Sequence, residues 1–522
     1  MTNSKTLRVA MASAVLLAFG ACMDLEVENP NEPTRERALS SADDVNALLQ
    51  SQFRLYWSLA QGGLGFEGSP HQAFDNGAEI FASTSTNDGT FQMGVVPPGP
   101  VRNELGYNWS QFMRLPWLDL NRALASIRDA VIAVENQDLG LQQPARFQSY
   151  AKFMQGIFHG YLALMYDRAF ILDETVEDPG ETQLQPYDAV MQTALGYLDE
   201  ARTIAANNDF NLPEPWLGTG SYSSQEFVRI IHSYQARYMT AVARSPQERA
   251  NVDWGAVLTH TNQGITEDFG VQLDGFGGVW NSPAKQRSSI NASVMLTLLG
   301  PADQSGAYHA WEQASRTDKD PFNVDTDDRR ITGAGGPTTE GKYVQWRDFT
   351  TNIGDRGREF LSKYSAKWWR NISDTGTGFA PEMTVEEMEF LAAEAHIRQG
   401  NPGQAVPLIN DDRTSEGELA PADENGVSGS RCVPRAHGPL AKASDDVSHG
   451  ECGDLMMTLI YEHRMETWGL SAGLPYFHAR GWGVLRDGRP CHMPIPMEDI
   501  QNLPEVEGYT FGGGGEGSVP NC

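Results

Sequence analysis

The stretch from 383 to 410 most constrains the fold, because it has the pattern of two helices joined by a tight turn. Thr384 can cap the first helix together with a glutamate three residues later, and the apolar residues that follow recur at helical spacing. Gly400 can end this helix, and Asn401 followed by Pro402 is a typical helix start. The stretch therefore predicts an antiparallel helical hairpin of the tetratricopeptide type.

The same spacing of apolar residues recurs along the chain and predicts four antiparallel helix pairs. Pro407 lies in the last helix and predicts that this helix is short or kinked, because proline removes a helical hydrogen bond. The predicted pairs are 41–60 with 109–134, 149–170 with 186–206, 223–244 with 253–266, and 384–398 with 401–410.

Two long stretches fall outside this pattern. Residues 270–381 combine glycine, proline and charged runs, and they predict a loop-rich insertion with few short strands. Residues 411–522 form a C-terminal region that contains most of the cysteines. We therefore expect residues 41–522 to form a single body of the mostly α class, a tetratricopeptide-like array of helical hairpins.

The N-terminus has the pattern of a lipoprotein signal peptide at residues 1–21. Two basic residues precede an apolar run that is too short to cross a bilayer. The run ends in a lipobox-like sequence, FGAC, in which Phe19 stands where leucine is usual and Cys22 is the predicted lipidation site. A polar tether at 22–40 follows. The alternative is an ordinary secretory leader with an unmodified Cys22.

The four remaining cysteines are compatible with disulfides, because an exported protein meets an oxidising environment. Three connectivities are possible. We favour Cys432 with Cys452 and Cys491 with Cys522, since this connectivity closes the shortest loops. A zinc site is the alternative, but the chain lacks a C-x-x-C motif or a nearby histidine pair at the spacing of a zinc site.

The charge balance excludes some classes of partner. Lys and Arg total 39 against 68 Asp and Glu, which gives a net charge of −29. Such a surface repels nucleic acid and anionic lipid. We therefore expect neutral or cationic partners and no nucleic acid.

Catalytic and metal-binding motifs are weak. The sequence GPTTEGK at 336–342 resembles a phosphate-binding loop, but a tyrosine replaces the residue that would bind magnesium. The run 325–328 has carboxylates for calcium, but Arg329 occupies a ligand position, so we expect a solvated charged loop and leave calcium open. We predict no cofactor, no metal and no catalytic residue. The helical histidines are expected to be structural: His159, His232 and His260.

Aromatic residues in the irregular stretches are the best candidates for a binding site. Neutral sugars stack on aromatic rings and form hydrogen bonds with polar neighbours. Core packing is the alternative for each aromatic residue taken singly, and Trp280 and Trp346 are the strongest candidates. The candidate residues are Trp280, Asn281, Trp346, Phe91, Tyr107 and Trp109.

Several stretches, in the same order along the chain, resemble the SusD/RagB family of nutrient-binding outer-membrane lipoproteins. They are the lipobox at Cys22, the helix 117–127, YAKFMQGIFHGYLALMYDRAF at 150–170, EEMEFLAAEAHIRQGN at 386–401, YEHRMETWGLSAGLPYFHARGWG at 461–483, and PIPMEDIQN at 494–502. Together they extend over nearly the whole mature chain.

The resemblance implies a SusD-like helical fold and a non-enzymatic protein that binds a glycan or another nutrient. It also implies a SusC-like TonB-dependent β-barrel transporter as partner and a lipid-anchored position at the outer membrane. The acidic residues Asp24, Glu26 and Glu28 are compatible with exposure at the cell surface. Two alternatives remain at this stage, an exported helical glycoside hydrolase and a structural scaffold lipoprotein.

Overall fold

Paired α-helices make up most of the structure, which is a computed structural model. It describes residues 39–61, 70–83, 93–94, 103, 111–282, 292–348, 361–367, 370–471, 473–500 and 503. The helices are α1 Ala42–Gln50, α2 Gln52–Ala60, α3 Pro70–Gly77, α4 Gln111–Asn136, α5 Pro144–Met165, α6 Tyr187–Ala206, α7 Glu214–Leu217, α8 Ser224–Ala241, α9 Pro246–Ala250, α10 Trp254–Asn262, α11 Leu296–Leu299, α12 Ala307–Gln313, α13 Arg370–Thr375, α14 Val385–Arg398, α15 Pro402–Ser415, α16 Leu455–Thr467, α17 Leu474–Trp482 and α18 Met497–Ile500. The predicted mostly α fold class is confirmed.

Short antiparallel strand pairs lie between the helices in the described part of the chain. The longest pair joins a strand at the start of the insertion to a strand at its end. The pairs are β1 Phe81–Ser83 with β7 Ala292–Val294, β2 Arg168–Phe170 with β3 Leu184–Pro186, β4 Asn211–Leu212 with β5 Tyr222–Ser223, β6 Phe269–Asp274 with β10 Thr377–Met383, and β8 Val344–Trp346 with β9 Tyr364–Ala366. The predicted insertion therefore has few strands, and its ends meet.

Helix α5 is the centre of the N-terminal half, because α4, α6 and α8 all pack on it. It is apolar on most of its faces, and nearly all of its side chains are buried. Two glycines allow the close approach of neighbouring helices. A Cβ at Gly156 would lie 2.6 Å from Leu198 Cγ of α6, and a Cβ at Gly160 would collide with the ring of Tyr238 of α8.

Helix α14 has the predicted ends, and α15 begins where it was predicted to begin. The Thr384 hydroxyl accepts a hydrogen bond from the Glu387 backbone N–H at 3.3 Å, and Gly400 follows α14 with a φ of +77°. The expected shortening at Pro407 is wrong, because α15 continues to Ser415 with the proline inside it. Buried apolar side chains of α15 pack against α14 and α16 and stabilise the helix across the proline.

Two other helices differ from their predicted bounds. The stretch 41–60 forms α1 and α2, which are separated at Ser51, whose hydroxyl donates a hydrogen bond to the Leu48 carbonyl at 2.7 Å. This bond satisfies a carbonyl at the end of α1. The stretch 223–244 ends earlier, at Ala241, and the short helix α9 follows.

Buried arginine side chains connect the helical array to the insertion and to the C-terminal region. Arg237 of α8 lies 2.9 Å from Glu382 of β10 and 2.5 Å from Glu387 of α14. All three side chains are at most 2% exposed. Since a buried charge without a partner is very unfavourable, these pairs fix the position of β10 and α14 against α8.

Two further arginines have the same role. Arg249 of α9 lies 2.6 Å from Glu394 of α14. Arg330 of the insertion lies 2.7 Å from each of three carboxylates, two of which belong to α16. The three carboxylates are those of Asp328, Glu462 and Glu466. The insertion and the C-terminal region are therefore fixed to each other through charged groups that are shielded from water.

The charged run 325–328 is a solvated loop only in part. Asp325 and Asp327 are exposed and pair with Arg431. Asp328, in contrast, is fully buried, and its carboxylate accepts hydrogen bonds from Arg330 and from the Tyr461 hydroxyl. The expectation of solvation was wrong for Asp328 because Tyr461, which lies 133 positions away in the sequence, packs against it.

The C-terminal region contains a disulfide between Cys432 and Cys452. Cys522 lies outside the described residues, so the pairing of Cys491 with Cys522 stays a prediction. The signal peptide, Cys22 and most of the tether also lie outside them. Among the described helices, none has both the length and the apolar character that crossing a bilayer requires.

We predict that Arg237→Met strongly destabilises the fold. The variant retains most of the side-chain volume but leaves Glu382 and Glu387 buried without their cation, at a cost of about 3–5 kcal/mol. The measurement is the free energy of unfolding in urea. Arg431→Met is the matched control, because it breaks two exposed ion pairs, each worth at most about 1 kcal/mol. Equal effects of the two substitutions would contradict the role assigned to burial.

We also predict a loss of stability in acid. Burial by itself raises the pKa of Glu394, but Arg249 and Arg398 outweigh it and lower that pKa from 4.5 to about 2. The folded state therefore favours the ionised form, and this stabilisation is complete above pH 4.5 and is lost as the pH falls toward 2.

Urea midpoints measured between pH 6 and pH 2 test this prediction. Glu394→Gln should reduce the slope of stability against pH in the acid range, whereas Glu424→Gln, at an exposed glutamate, should leave the slope unchanged. An unchanged slope in Glu394→Gln would exclude the proposed linkage.

Candidate functional site

Trp280 lies at the start of the insertion, but its ring points inward. It is partly buried, and its ring centroid is 6.4 Å from that of Phe53. Asn281 is also partly buried, and its backbone carbonyl accepts a hydrogen bond from the Trp57 indole N–H at 2.8 Å. Both residues therefore contribute to packing under the surface.

Trp346 lies in a different strand pair, at the end of β8. Its indole N–H donates a hydrogen bond to Asn323 Oδ1 at 3.0 Å, and its ring is half-buried. Trp280, in the turn after β6, and Trp346, in β8, thus lie in separate parts of the insertion. The other predicted aromatic residues lie outside the described residues: Phe91, Tyr107 and Trp109.

The most exposed large apolar side chains of the described chain lie near the tip of the β6–β10 ribbon. Phe276 is 56% exposed, Val279 is 60% exposed and Phe379 is 39% exposed. We call these three residues the ribbon platform. Phe276 lies beside Gly376, which precedes β10, and exposed apolar side chains that lie near one another are a common feature of binding sites.

Polar side chains lie beside the platform because of the strand register. Phe379 is directly opposite Gln272, and Thr377 is opposite Asp274. Paired residues of an antiparallel ribbon point to the same face, and all four of these residues are exposed. One face of the ribbon therefore presents an aromatic ring together with amide, carboxylate and hydroxyl groups.

Asp274 holds the turn that carries Phe276 and Val279. Its carboxylate accepts hydrogen bonds from the backbone N–H groups of Val279 at 3.1 Å and Trp280 at 3.0 Å. Its own N–H donates to the Trp280 carbonyl at 3.0 Å. Across the ribbon, the Gly275 N–H donates to the Gly376 carbonyl at 3.1 Å. The turn is therefore fixed before a ligand binds.

The platform residues were not among the residues predicted from the sequence, although Trp280 is adjacent to Val279. Phe276 and Val279 lie among glycines, in GFGGVW, and this context is typical of a turn. Phe379 lies in a strand whose other half is buried. The available signal in the sequence was that glycines surround isolated apolar residues in the insertion. This signal does not identify the exposed side chains, because their exposure depends on which strands pair.

A cavity of about 520 Å³ between α4, α5 and α6 is the competing location for a ligand. Lys152 lines it and forms ion pairs with Glu174 and with Glu200, the latter at 3.2 Å. The described residues that line it include no aromatic side chain. The cavity therefore has paired charges but lacks a ring on which a sugar could stack.

Two carboxyl groups have the pKa expected of a general acid. Burial and the charge of Glu466 raise the pKa of Asp412 to about 8, and burial raises the pKa of Glu466 to about 7. Values near neutrality suit acid–base catalysis. However, the Glu466 side chain is only 3% exposed, and it accepts hydrogen bonds from Arg330 and Tyr343. It is therefore not accessible to a substrate.

Solved structures with a similar fold were found for this chain, whereas searches by sequence found no match. No family model matches the sequence, and no curated protein matches it. A SusD-like carbohydrate-binding protein from Bacteroides fragilis NCTC 9343 matches with a TM-score of 0.55 and 11% identity, over 86% of this chain and 88% of that chain.

Two further structures agree with this match. A SusD superfamily protein from Bacteroides vulgatus ATCC 8482 has a TM-score of 0.53 and 12% identity, over 86% of this chain and 89% of that chain. A SusD/RagB family protein from Bacteroides thetaiotaomicron VPI-5482 has a TM-score of 0.53 and 11% identity, over 88% of this chain and 95% of that chain. The chain therefore has the SusD-like fold that its sequence predicted.

Proposed function

We propose that this chain is a cell-surface lipoprotein that binds a glycan without cleaving it and delivers it to a TonB-dependent outer-membrane transporter. The observation that carries the proposal is the ribbon platform, where Phe276 and Phe379 are exposed beside polar side chains. The SusD-like fold supports the same function, since one protein with this fold is described as carbohydrate-binding.

The platform fits the chemistry of a neutral oligosaccharide. The C–H face of a sugar ring is apolar and can stack on Phe379, whereas its hydroxyl groups can form hydrogen bonds with Gln272, Asp274 and Thr377. A net charge of −29 does not oppose the approach of a neutral ligand. Trp280 supports the turn from below, and Trp346 is the candidate for a second contact.

Anchoring at Cys22 and delivery to a transporter are part of the same proposal. A lipidated cysteine followed by the tether at 22–40 would hold the helical body next to the membrane. A binding protein in that position can pass its ligand to a membrane channel. Copurification of a β-barrel transporter with the native protein is the direct test of the partner.

The second candidate function is that of a glycoside hydrolase. The raised pKa of Asp412 favours it. The buried position of Glu466 opposes it, because a hydrolase needs a second carboxyl group that reaches the scissile bond. Binding without cleavage is therefore the function that the geometry supports better.

We predict that the double substitution Phe276→Ala and Phe379→Ala weakens glycan binding at least about tenfold, or about 1.4 kcal/mol, because the stacking surface is lost. The measurement is calorimetry with the best oligosaccharide from a glycan array. Phe170→Ala is the control, since this partly buried ring lines a different groove, beside Trp117. Trp280→Ala and Trp346→Ala test the two predicted tryptophans.

Two outcomes would contradict the assignment of the binding site to the ribbon platform. If Phe170→Ala weakens binding and the double variant does not, the ligand binds beside Trp117. If all of these variants retain full affinity, the ribbon platform is not the binding site.

We predict that Cys22→Ala abolishes acylation and releases the protein from the membrane fraction. The measurement is metabolic labelling with a fatty-acid analogue, followed by membrane separation. Phe19→Leu is the matched control, because it supplies the residue that is usual at this lipobox position and should retain full labelling. Labelling of Cys22→Ala equal to that of the wild type would exclude lipidation at this residue.

A further inference from the structure

Four potential metal ligands from distant parts of the chain meet beside α12. They are His309, Glu312, His437 and His449, and their ligand atoms all lie within 4.8 Å of one another. These four residues do not have the close sequence spacing of a zinc motif. The fold, in contrast, brings together two residues of α12 and two of the C-terminal region.

Each pair of ligands is positioned by local structure. His309 and Glu312 are three residues apart on α12 and therefore lie on the same helix face. His437 and His449 lie within the loop that the Cys432–Cys452 disulfide closes. Backbone hydrogen bonds between the two sides of that loop, from the Gly450 N–H to the Ala436 carbonyl at 2.8 Å among them, keep the two imidazoles side by side.

Two of the distances between the ligand atoms are close to those around a tetrahedral metal ion, and all four ligand atoms lie within 4.8 Å of one another. His437 Nδ1 is 3.5 Å from His449 Nε2, and His449 Nε2 is 3.4 Å from Glu312 Oε2. Zinc–nitrogen bonds of about 2.05 Å place neighbouring ligands of a tetrahedron about 3.3 Å apart. The observed separations are close to this value.

The same distances are long for direct interactions. Hydrogen bonds that involve a charged partner are usually about 2.7–2.9 Å long. A histidine pair elsewhere in the described chain illustrates the contrast, because His232 Nδ1 and His260 Nδ1 are 2.8 Å apart and form a hydrogen bond. At the α12 cluster the side chains face one another at a separation that leaves room for an ion between them.

The environment of the cluster suits a cation. Glu312 Oε2 is buried and has no hydrogen-bond partner in the described structure. Of the nearby arginines, Arg435 donates to Gln304 and to the Gly450 carbonyl, and Arg486 pairs with Glu79 while its charge also acts on Glu312. A buried carboxylate oxygen without a donor is unfavourable unless a cation reaches it.

We propose that His309, Glu312, His437 and His449 bind one zinc ion in a tetrahedral site that fastens the disulfide-closed loop to α12. Three imidazoles and one carboxylate are ligands that zinc favours, and four protein ligands are typical of a structural rather than a catalytic zinc site. The site does not depend on the proposed glycan function.

Titration of the chelator-treated full chain with Zn²⁺ tests the proposal by calorimetry. We expect one tight equivalent in the wild type and a decrease in affinity of at least about tenfold in His309→Ala and in His449→Ala. Both histidines are exposed, so these variants should fold, and circular dichroism checks this. Glu312→Gln provides a further variant that retains the side-chain size.

His260→Ala is the matched control, because it removes a histidine from the His232–His260 pair and should not change the affinity for Zn²⁺. With Co²⁺ in place of Zn²⁺, the wild type should show the strong visible absorption of tetrahedral cobalt. The proposal is overturned if the wild type binds no stoichiometric Zn²⁺, or if His309→Ala, His449→Ala and Glu312→Gln all retain the affinity of the wild type.

Discussion

The pairing of buried arginines with carboxylates is the interaction on which the rest of the structure depends. Arg237, Arg249 and Arg330 are all at most 2% exposed, and each has at least one carboxylate partner at 2.9 Å or less. Without those partners the burial of a guanidinium would be very unfavourable. The pairs therefore require a single arrangement of the helical array, the insertion and the C-terminal helices, and apolar packing alone would specify that arrangement less strictly.

This constraint extends directly to the proposed binding surface. Strand β10 carries Glu382, which is bound by Arg237 and by the Tyr56 hydroxyl at 3.0 Å, and it also carries the exposed Phe379. One end of the ribbon is thus fixed in the core, and the other end presents its rings to solvent. Because the turn at Asp274 is held by its own hydrogen bonds, the platform is preorganised. Ligand binding therefore carries little entropic cost for ordering the platform.

Local sequence was sufficient to predict the helices but not the contacts between them. Helical periodicity and capping residues are local, and the Thr384 side chain caps α14 as expected. The ion pair of Arg237 with Glu382, in contrast, joins residues 145 positions apart. The exposure of Phe379 depends on the same long-range pairing. For this reason the fold class could be predicted from the sequence, whereas the buried pairs and the platform could not, and Trp280 as a ligand contact stays a prediction.

The central claim is that a rigid, charge-paired scaffold presents a surface that binds a glycan and leaves it intact. Mass spectrometry of an oligosaccharide after prolonged incubation with the purified protein, at saturation established by calorimetry, tests this claim most directly. The account predicts that the oligosaccharide is recovered at its original mass. Shorter products that disappear in the Asp412→Asn variant would contradict the account and identify the protein as a hydrolase.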